Sequence, residues 1–146
     1  MKLTTKMRYG TRALVDLALH EEQAPVPSGE IAERQQVPVK YLESILVALR
    51  NAGLVQTTRG ALGGYALARD PASIPLAEVF DALEGPSPLV ACTEGAECPR
   101  YDGCVTREVW ARMYAASRQV LEDTTLADLA GRAREKQQVA GDMYYI

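Results

Sequence analysis

Cys92, Cys98 and Cys104 are the only cysteines of the chain, and five residues separate each from the next. An odd number of thiols does not close into an intramolecular disulfide framework, so the triplet points to metal ligation or to thiol redox chemistry. The residues around it (Thr93, Glu94, Glu97, Arg100, Asp102) are polar, which is a poor setting for three sulfurs acting as buried apolar filler. Structural zinc sites favour cysteine pairs with two to four residues between them, and the single histidine, His20, lies far off along the chain. Iron-sulfur clusters accept thiolates at more open spacings, and the triplet fits such a cluster better than it fits zinc. Three sulfurs leave a fourth position to a carboxylate, a histidine, a group from a partner chain or a small molecule. A cluster held in that way is expected to be labile to oxidant or nitric oxide, a property suited to a sensor.

The remaining chemistry is sparse. No Ser/His/Asp set and no phosphate-binding glycine loop is present, which argues against a hydrolase or a nicotinamide enzyme. The 146 residues carry a net charge of -3, unevenly spread. Residues 1–69 hold nine Lys and Arg against six acids, whereas residues 70–146 hold seven against thirteen. The first part is therefore the one able to face a polyanion. The N-terminus lacks the apolar core of a signal peptide, and no apolar run approaches the roughly 20 residues needed to cross a bilayer. A cytoplasmic protein without a membrane partner is expected.

Elements that could position the thiols and the basic residues follow from periodicity. Tyr9, Ala13, Leu14, Leu17 and Ala18 fall on one face of a helix over residues 6–20. After the Pro-containing stop at 24–27, Ser28 is placed to cap a short helix through Ile31 and Ala32. Gln35, Gln36 and Val37 form a turn, and Pro38 opens a third helix whose stripe is Leu42, Ile45, Leu46 and Leu49. Past Gly53 the period changes to two: residues 55–58 and 65–67 read as strands joined by a glycine-rich tip at 59–64. A further helix places Leu76, Val79, Phe80 and Leu83 inward and ends at Gly85 and Pro86. The thiol segment follows. The longest helix, 105–121, bears a broad apolar face of Val109, Trp110, Met113, Ala116, Val120 and Leu121. Thr125 with Asp128 resembles the cap of a last helix over 126–134.

The predicted class is mainly α with a small β-hairpin: a winged helix-turn-helix plus a long dimerisation helix. The expected divisions are a winged helix-turn-helix DNA-binding domain at 1–84, a cysteine loop at 85–104, dimerisation and C-terminal helices at 105–137, and a tail at 138–146. The second helix of a helix-turn-helix enters the major groove and presents its first exposed residues to base edges. Here these are Val39, Lys40, Tyr41, Glu43 and Ser44. Lys40 could meet a phosphate or guanine, Glu43 a cytosine amino group, and Tyr41 the backbone. Arg59, at the tip beside Gly60, could enter a narrow, negative minor groove. Any one of these polar residues is explained by solvation of a helix face; jointly, the helix pair and the basic hairpin favour DNA. A single module reads few base pairs, so a homodimer on a palindrome is expected, with helix 105–121 as its seam.

The opening Met1-Lys2-Leu3-Thr4-Thr5-Lys6, the stretch 37–55, the wing residues Arg59-Gly60 and Gly63-Gly64-Tyr65, and the cysteine triplet followed by Trp110 together resemble the IscR and NsrR type of winged-helix transcription regulators, the Rrf superfamily. The resemblance covers residues 1 to about 135. It implies a homodimeric bacterial regulator that binds palindromic promoter DNA and carries a [2Fe-2S] or [4Fe-4S] cluster on Cys92, Cys98 and Cys104. It also implies DNA contacts from Lys40, Tyr41, Glu43 and Arg59; the expected DNA-binding set further includes Ser28, Val39, Arg50 and Gly60. Where IscR-like members complete the site with a histidine three residues after the last cysteine, this chain has Arg107. Where an NsrR-like arrangement uses an aspartate near the partner's N-terminus, it has Arg8. Arginine stays protonated and does not ligate iron. The fourth ligand is left to Glu94, Glu97, Asp102 or Glu108, to water, or to a thiol. An alternative for the same fold is a regulator without metal, switched by thiol oxidation.

Overall fold

The computed structural model describes residues 3–85 and 98–143, with side chains as far as residue 140. Its elements run α1 (Thr5–Leu19), α2 (Ser28–Gln35), α3 (Val39–Asn51), β1 (Val55–Thr58), β2 (Gly64–Leu67), α4 (Leu76–Glu84), α5 (Val105–Glu122) and α6 (Leu126–Met143). The chain is mainly helical, with one antiparallel hairpin in which Val55 pairs with Leu67 and Thr58 with Gly64. No helix among the described residues is long and apolar enough to cross a membrane.

The core is built around α1, which packs on α2, α3, α4 and α6. The Thr4 hydroxyl caps α1 by accepting from the Met7 amide at 3.1 Å. Ala13, Leu14, Leu17 and Ala18 are buried on the predicted face, and Leu42, Ile45, Leu46 and Leu49 of α3 meet them. Removing each leucine-sized side chain from water contributes roughly 1.5–3 kcal/mol. A Cβ at Gly10 would lie 2.4 Å from Leu83 Cδ1 and 3.1 Å from Ile45 Cγ2, so a glycine lets α1 approach α4 and α3 at this point. Gln36 takes a left-handed conformation (φ 53°) that ends α2 and aims the chain into α3.

Three details depart from the sequence expectations. Ser28 is the first residue of α2, not its cap: Pro27 holds that position, and the Ser28 hydroxyl donates instead to Glu43 Oε1 of α3 at 3.0 Å. Val26 forms a bridge with Tyr65, each amide donating to the other's carbonyl at 2.8 Å, which ties the hairpin to the chain before α2. One paired residue leaves no periodic trace in a sequence. Third, α6 continues to Met143 and so runs through most of the segment expected as a tail from 138. Residues 135–140, Glu-Lys-Gln-Gln-Val-Ala, are mostly good helix formers with no breaker among them.

Of the C-terminal helices, α6 packs on α1. The Leu76 amide donates to Thr124 O at 2.8 Å and the Leu126 amide to Ile74 O at 3.0 Å, while Leu126 and Ala130 are buried against the core. Thr125 and Asp128 form the predicted reciprocal cap: Asp128 Oδ2 accepts from the Thr125 amide at 2.8 Å, and Thr125 Oγ1 accepts from the Asp128 amide at 3.2 Å. By contrast α5 has no buried residue, and a bidentate pair from Arg118 to Asp81 (2.6 and 2.7 Å) fastens it to α4.

Candidate nucleic-acid interface and cysteine site

With the apolar stripe of α3 inward, its opposite face is left to solvent. Val39, Lys40, Tyr41, Glu43, Ser44, Val47 and Arg50 are all exposed on it. Spacings of three and four along a helix put these residues on one side. Tyr41 is braced from behind by Tyr9 of α1, the two rings meeting edge to face with centroids 6.1 Å apart. The Arg12 guanidinium lies 5.6 Å over the Tyr9 ring. Arg12 also donates to the Gln35 carbonyl oxygen and, at 3.1 Å, to Gln35 Oε1. The end of α2 is thereby fixed against α1.

Beneath that turn lies Asp16, 2% exposed and the one buried charged residue among those described. Its carboxylate accepts from Arg34 Nε (3.0 Å) and Nη2 (2.7 Å) and from Gln35 Nε2 (3.0 Å). A buried charge is tolerable only when paired and hydrogen-bonded in this way. Donating to the Asp16 carboxylate, together with its negative charge, raises the Arg34 pKa above the ordinary guanidinium value. The signal in the sequence is an acid placed between Ala13 and Leu17 on the otherwise apolar face of α1.

The hairpin tip stands beside α3. A groove of about 300 Å³ between them is lined by Ser28, Glu43, Thr57, Thr58, Gly60 and Gly64, among others. The Ser28–Glu43 hydrogen bond spans its floor. Arg59 and Gly60 are exposed at the tip, and Gly60 has φ 109°, a conformation that favours glycine. Leu62, between them and the second strand, is 91% exposed. The structure thus brings Ser28, Glu43 and Gly60 to one groove, with Val39, Lys40, Tyr41 and Arg50 exposed on α3 and Arg59 exposed at the hairpin tip.

Of the three cysteines, Cys98 and Cys104 are free and half-buried, and Cys92 lies outside the described residues. A turn joins the two, with the Tyr101 amide donating to Cys98 O at 2.9 Å. Cys104 is the N-cap of α5. The Thr106 hydroxyl, 3.3 Å from its sulfur, and then the Arg107 backbone amide pull the thiol pKa below its ordinary value. That favours the thiolate, the form that ligates metal and attacks oxidants. The Arg107 guanidinium carbon stacks 4.0 Å from the Tyr101 ring centroid, and Nε donates to Tyr101 O at 3.1 Å. Arg8 is exposed, with a long hydrogen bond to Thr5 Oγ1 at 3.4 Å. Asp102 and Glu108 are exposed, whereas Glu94 and Glu97 lie outside the described residues. No group of three or more His, Cys, Asp or Glu side chains converges among the described residues.

The profile of the Rrf2 family, described as iron-dependent transcriptional regulators, matches residues 3–132. The chain belongs to the Rrf2 family. Protein rrf2 of Nitratidesulfovibrio vulgaris is 46% identical over 130 residues, covering 88% of this chain and 87% of that protein. Among solved structures, T. potens IscR superposes with a TM-score of 0.79 at 40% identity, covering 99% of this chain and 97% of the other. CymR, the global cysteine regulator of B. subtilis, superposes with a TM-score of 0.78 at 36% identity, covering 90% and 98% respectively. The expected winged-helix architecture is the one these Rrf2-family neighbours share, and the chain is an Rrf2-family transcriptional regulator.

Proposed function

We propose that this Rrf2-family regulator binds palindromic promoter DNA as a homodimer, and that an iron-sulfur cluster held by Cys92, Cys98 and Cys104 controls that binding. In this reading residues 1–84 read DNA through α2, α3 and the wing, residues 85–104 carry the sensor, and residues 105–137 pair the protomers. The observation that carries it is the position of Cys104 at the head of α5. The same helix exposes a stripe of Val105, Val109, Met113 and Val120 (78, 53, 44 and 65% exposed), with Trp110 beside it. Spacings of three and four make this a continuous apolar seam with no partner among the described residues, which supports pairing with a second copy. The donor chemistry also fits: two half-exposed thiols, one favoured as thiolate, suit an iron-sulfur centre better than a hard cation. The cluster, when bound, would supply a redox- and nitric-oxide-sensitive link among the three sulfurs.

The chain's own residues supply the relay. A shift of Cys104 moves the start of α5; Arg118 passes it to Asp81 of α4, and α4 packs directly on α1 and α3. Lys6 Nζ also donates to Leu83 O at 2.8 Å, clasping the end of α4, from which the cysteine segment departs, to α1. Coupling of this kind typically amounts to about 1–3 kcal/mol, a several-fold or larger change in operator affinity. The test is anaerobic purification of wild type and of Cys92→Ala and Cys104→Ala, followed by iron and sulfide analysis and absorption spectra. Wild type should carry iron, sulfide and a visible chromophore that both variants lose; equal spectra and iron content in all three defeat the ligand assignment. The thiolate-favouring surroundings of Cys104 also support a second reading, a metal-free switch by thiol oxidation. Wild type devoid of iron and sulfide, with Cys104 found oxidised by mass spectrometry in aerated samples, would select it.

A further inference from the structure

At the wing tip an apolar side chain is held out in solvent by a backbone built to keep it there. Leu62 is 91% exposed, the most exposed of the large hydrophobic residues among those described. Nothing about its turn is loose. The Gly63 amide donates to Gly60 O at 3.0 Å, closing the turn around Ala61 and Leu62. A Cβ on Gly63 would lie 2.2 Å from Thr58 O, and one on Gly64 would lie 2.4 Å from the Val26 carbonyl carbon and oxygen. Both positions therefore need glycine, and the second lets the wing pack directly on the Val26 backbone, where the two Val26–Tyr65 hydrogen bonds hold it. The leucine is thus presented on a tip of fixed orientation. It lies three residues beyond Arg59, on a tip whose Gly60 and Gly63 line a groove together with Ser28 and with Glu43 of α3.

Resting on the DNA-binding reading above, we propose that Leu62 is an apolar wedge that enters the minor groove beside Arg59 and partly unstacks one base-pair step. When α3 lies in the major groove, a wing anchored beside it faces the flanking minor groove. A guanidinium is drawn into that groove by its negative potential, and a leucine can enter between base pairs where stacking is weak. Pyrimidine–purine steps unstack most readily, so Leu62 selects sequence by deformability without a hydrogen bond to any base. The occupant of this leucine is DNA, not a protein, because the tip that bears it shares a groove with Glu43 of α3 and carries the exposed cation Arg59.

The experiment uses the full-length protein, prepared anaerobically, and random-sequence duplexes of about 30 base pairs, three helical turns. Sequences retained by wild type and by Leu62→Ala are read out, and the end-to-end distance of one retained duplex is measured by energy transfer. Wild type should enrich a TA or CA/TG step at the wing position and bend the duplex. Leu62→Ala should lose that enrichment, straighten the duplex and bind about tenfold more weakly, equivalent to about 1.4 kcal/mol. Its melting temperature should match wild type, since so exposed a side chain holds no core together. Unchanged enrichment and affinity in Leu62→Ala overturn the wedge, as does a loss of affinity that is equal on every sequence with the bend intact. Failure of wild type to enrich any sequence is a separate outcome that removes the DNA-binding reading itself.

Discussion

Replacing Asp16 by Ala should loosen the helix-turn-helix more than any change to its exposed face. The carboxylate is 2% exposed and accepts hydrogen bonds of 2.7–3.2 Å from Arg34 and Gln35, joining the last turn of α1 to the end of α2. Truncating one partner of a fully buried ion pair costs about 3–5 kcal/mol, mostly because the other is left unpaired. Arg34 keeps 31% of its side chain in water and a second partner in Glu30 at 3.3 Å, so solvent recovers part of its loss. Gln35 recovers less, being half-buried. The expected cost is therefore about 2–3 kcal/mol, or roughly 5–10 °C in melting temperature for a domain of this size. Thermal and urea unfolding followed by circular dichroism measure it, with Arg34→Ala and the double variant completing a cycle. A coupling energy of about 1 kcal/mol or more is expected between the two positions. An Asp16→Ala protein within about 0.5 kcal/mol of wild type, the range of ordinary surface changes, would refute the assignment of the network as the α1–α2 clamp.

Two further outcomes follow from the C-terminal helices. Met113→Glu, on the exposed seam of α5, should leave the protomer folded, because α5 has no buried residue, yet convert a dimer to a monomer in sedimentation; an unchanged dimer would remove α5 from the interface. Asp128 tests the cap of α6 through pH. The Thr125 amide and hydroxyl hold the Asp128 carboxyl below the ordinary carboxylate range. The unfolded chain then binds the proton more readily, so the contribution is complete above a pH of about 4 and is lost as pH falls through the lower folded value. The melting-temperature advantage of wild type over Asp128→Asn should accordingly shrink in acid, and a constant difference would contradict the cap.

How far the site can be read from the chain alone depends on the kind of signal each residue leaves. The inward stripes of α1, α3 and α4 repeat every three or four residues, and burial follows that period directly. The exposed face of α3 is then fixed by default, which is why Lys40, Tyr41, Glu43 and Arg50 fall together. Ser28 illustrates the opposite case. A serine ahead of a helix reads as a cap, but the hydroxyl found a carboxylate on another helix, a choice made by tertiary proximity. Val26 gives no pattern at all, because a single bridge residue has no neighbour to alternate with.

What the amino-acid order determined by itself is local and periodic: the helices and hairpin, the glycine-rich tip, and a thiol triplet whose odd number leaves at least one sulfur outside any intramolecular disulfide. Only the tertiary structure decided which charges are clamped and which are free. Arg12, Arg34 and Arg118 are each committed to partners 23, 18 and 37 residues away. It also decided that the apolar face of α5 stays in solvent and that Leu62 stands outside the core. The physical reason is that periodicity tells which side of an element is apolar, whereas what covers that side depends on contacts between residues far apart in the chain.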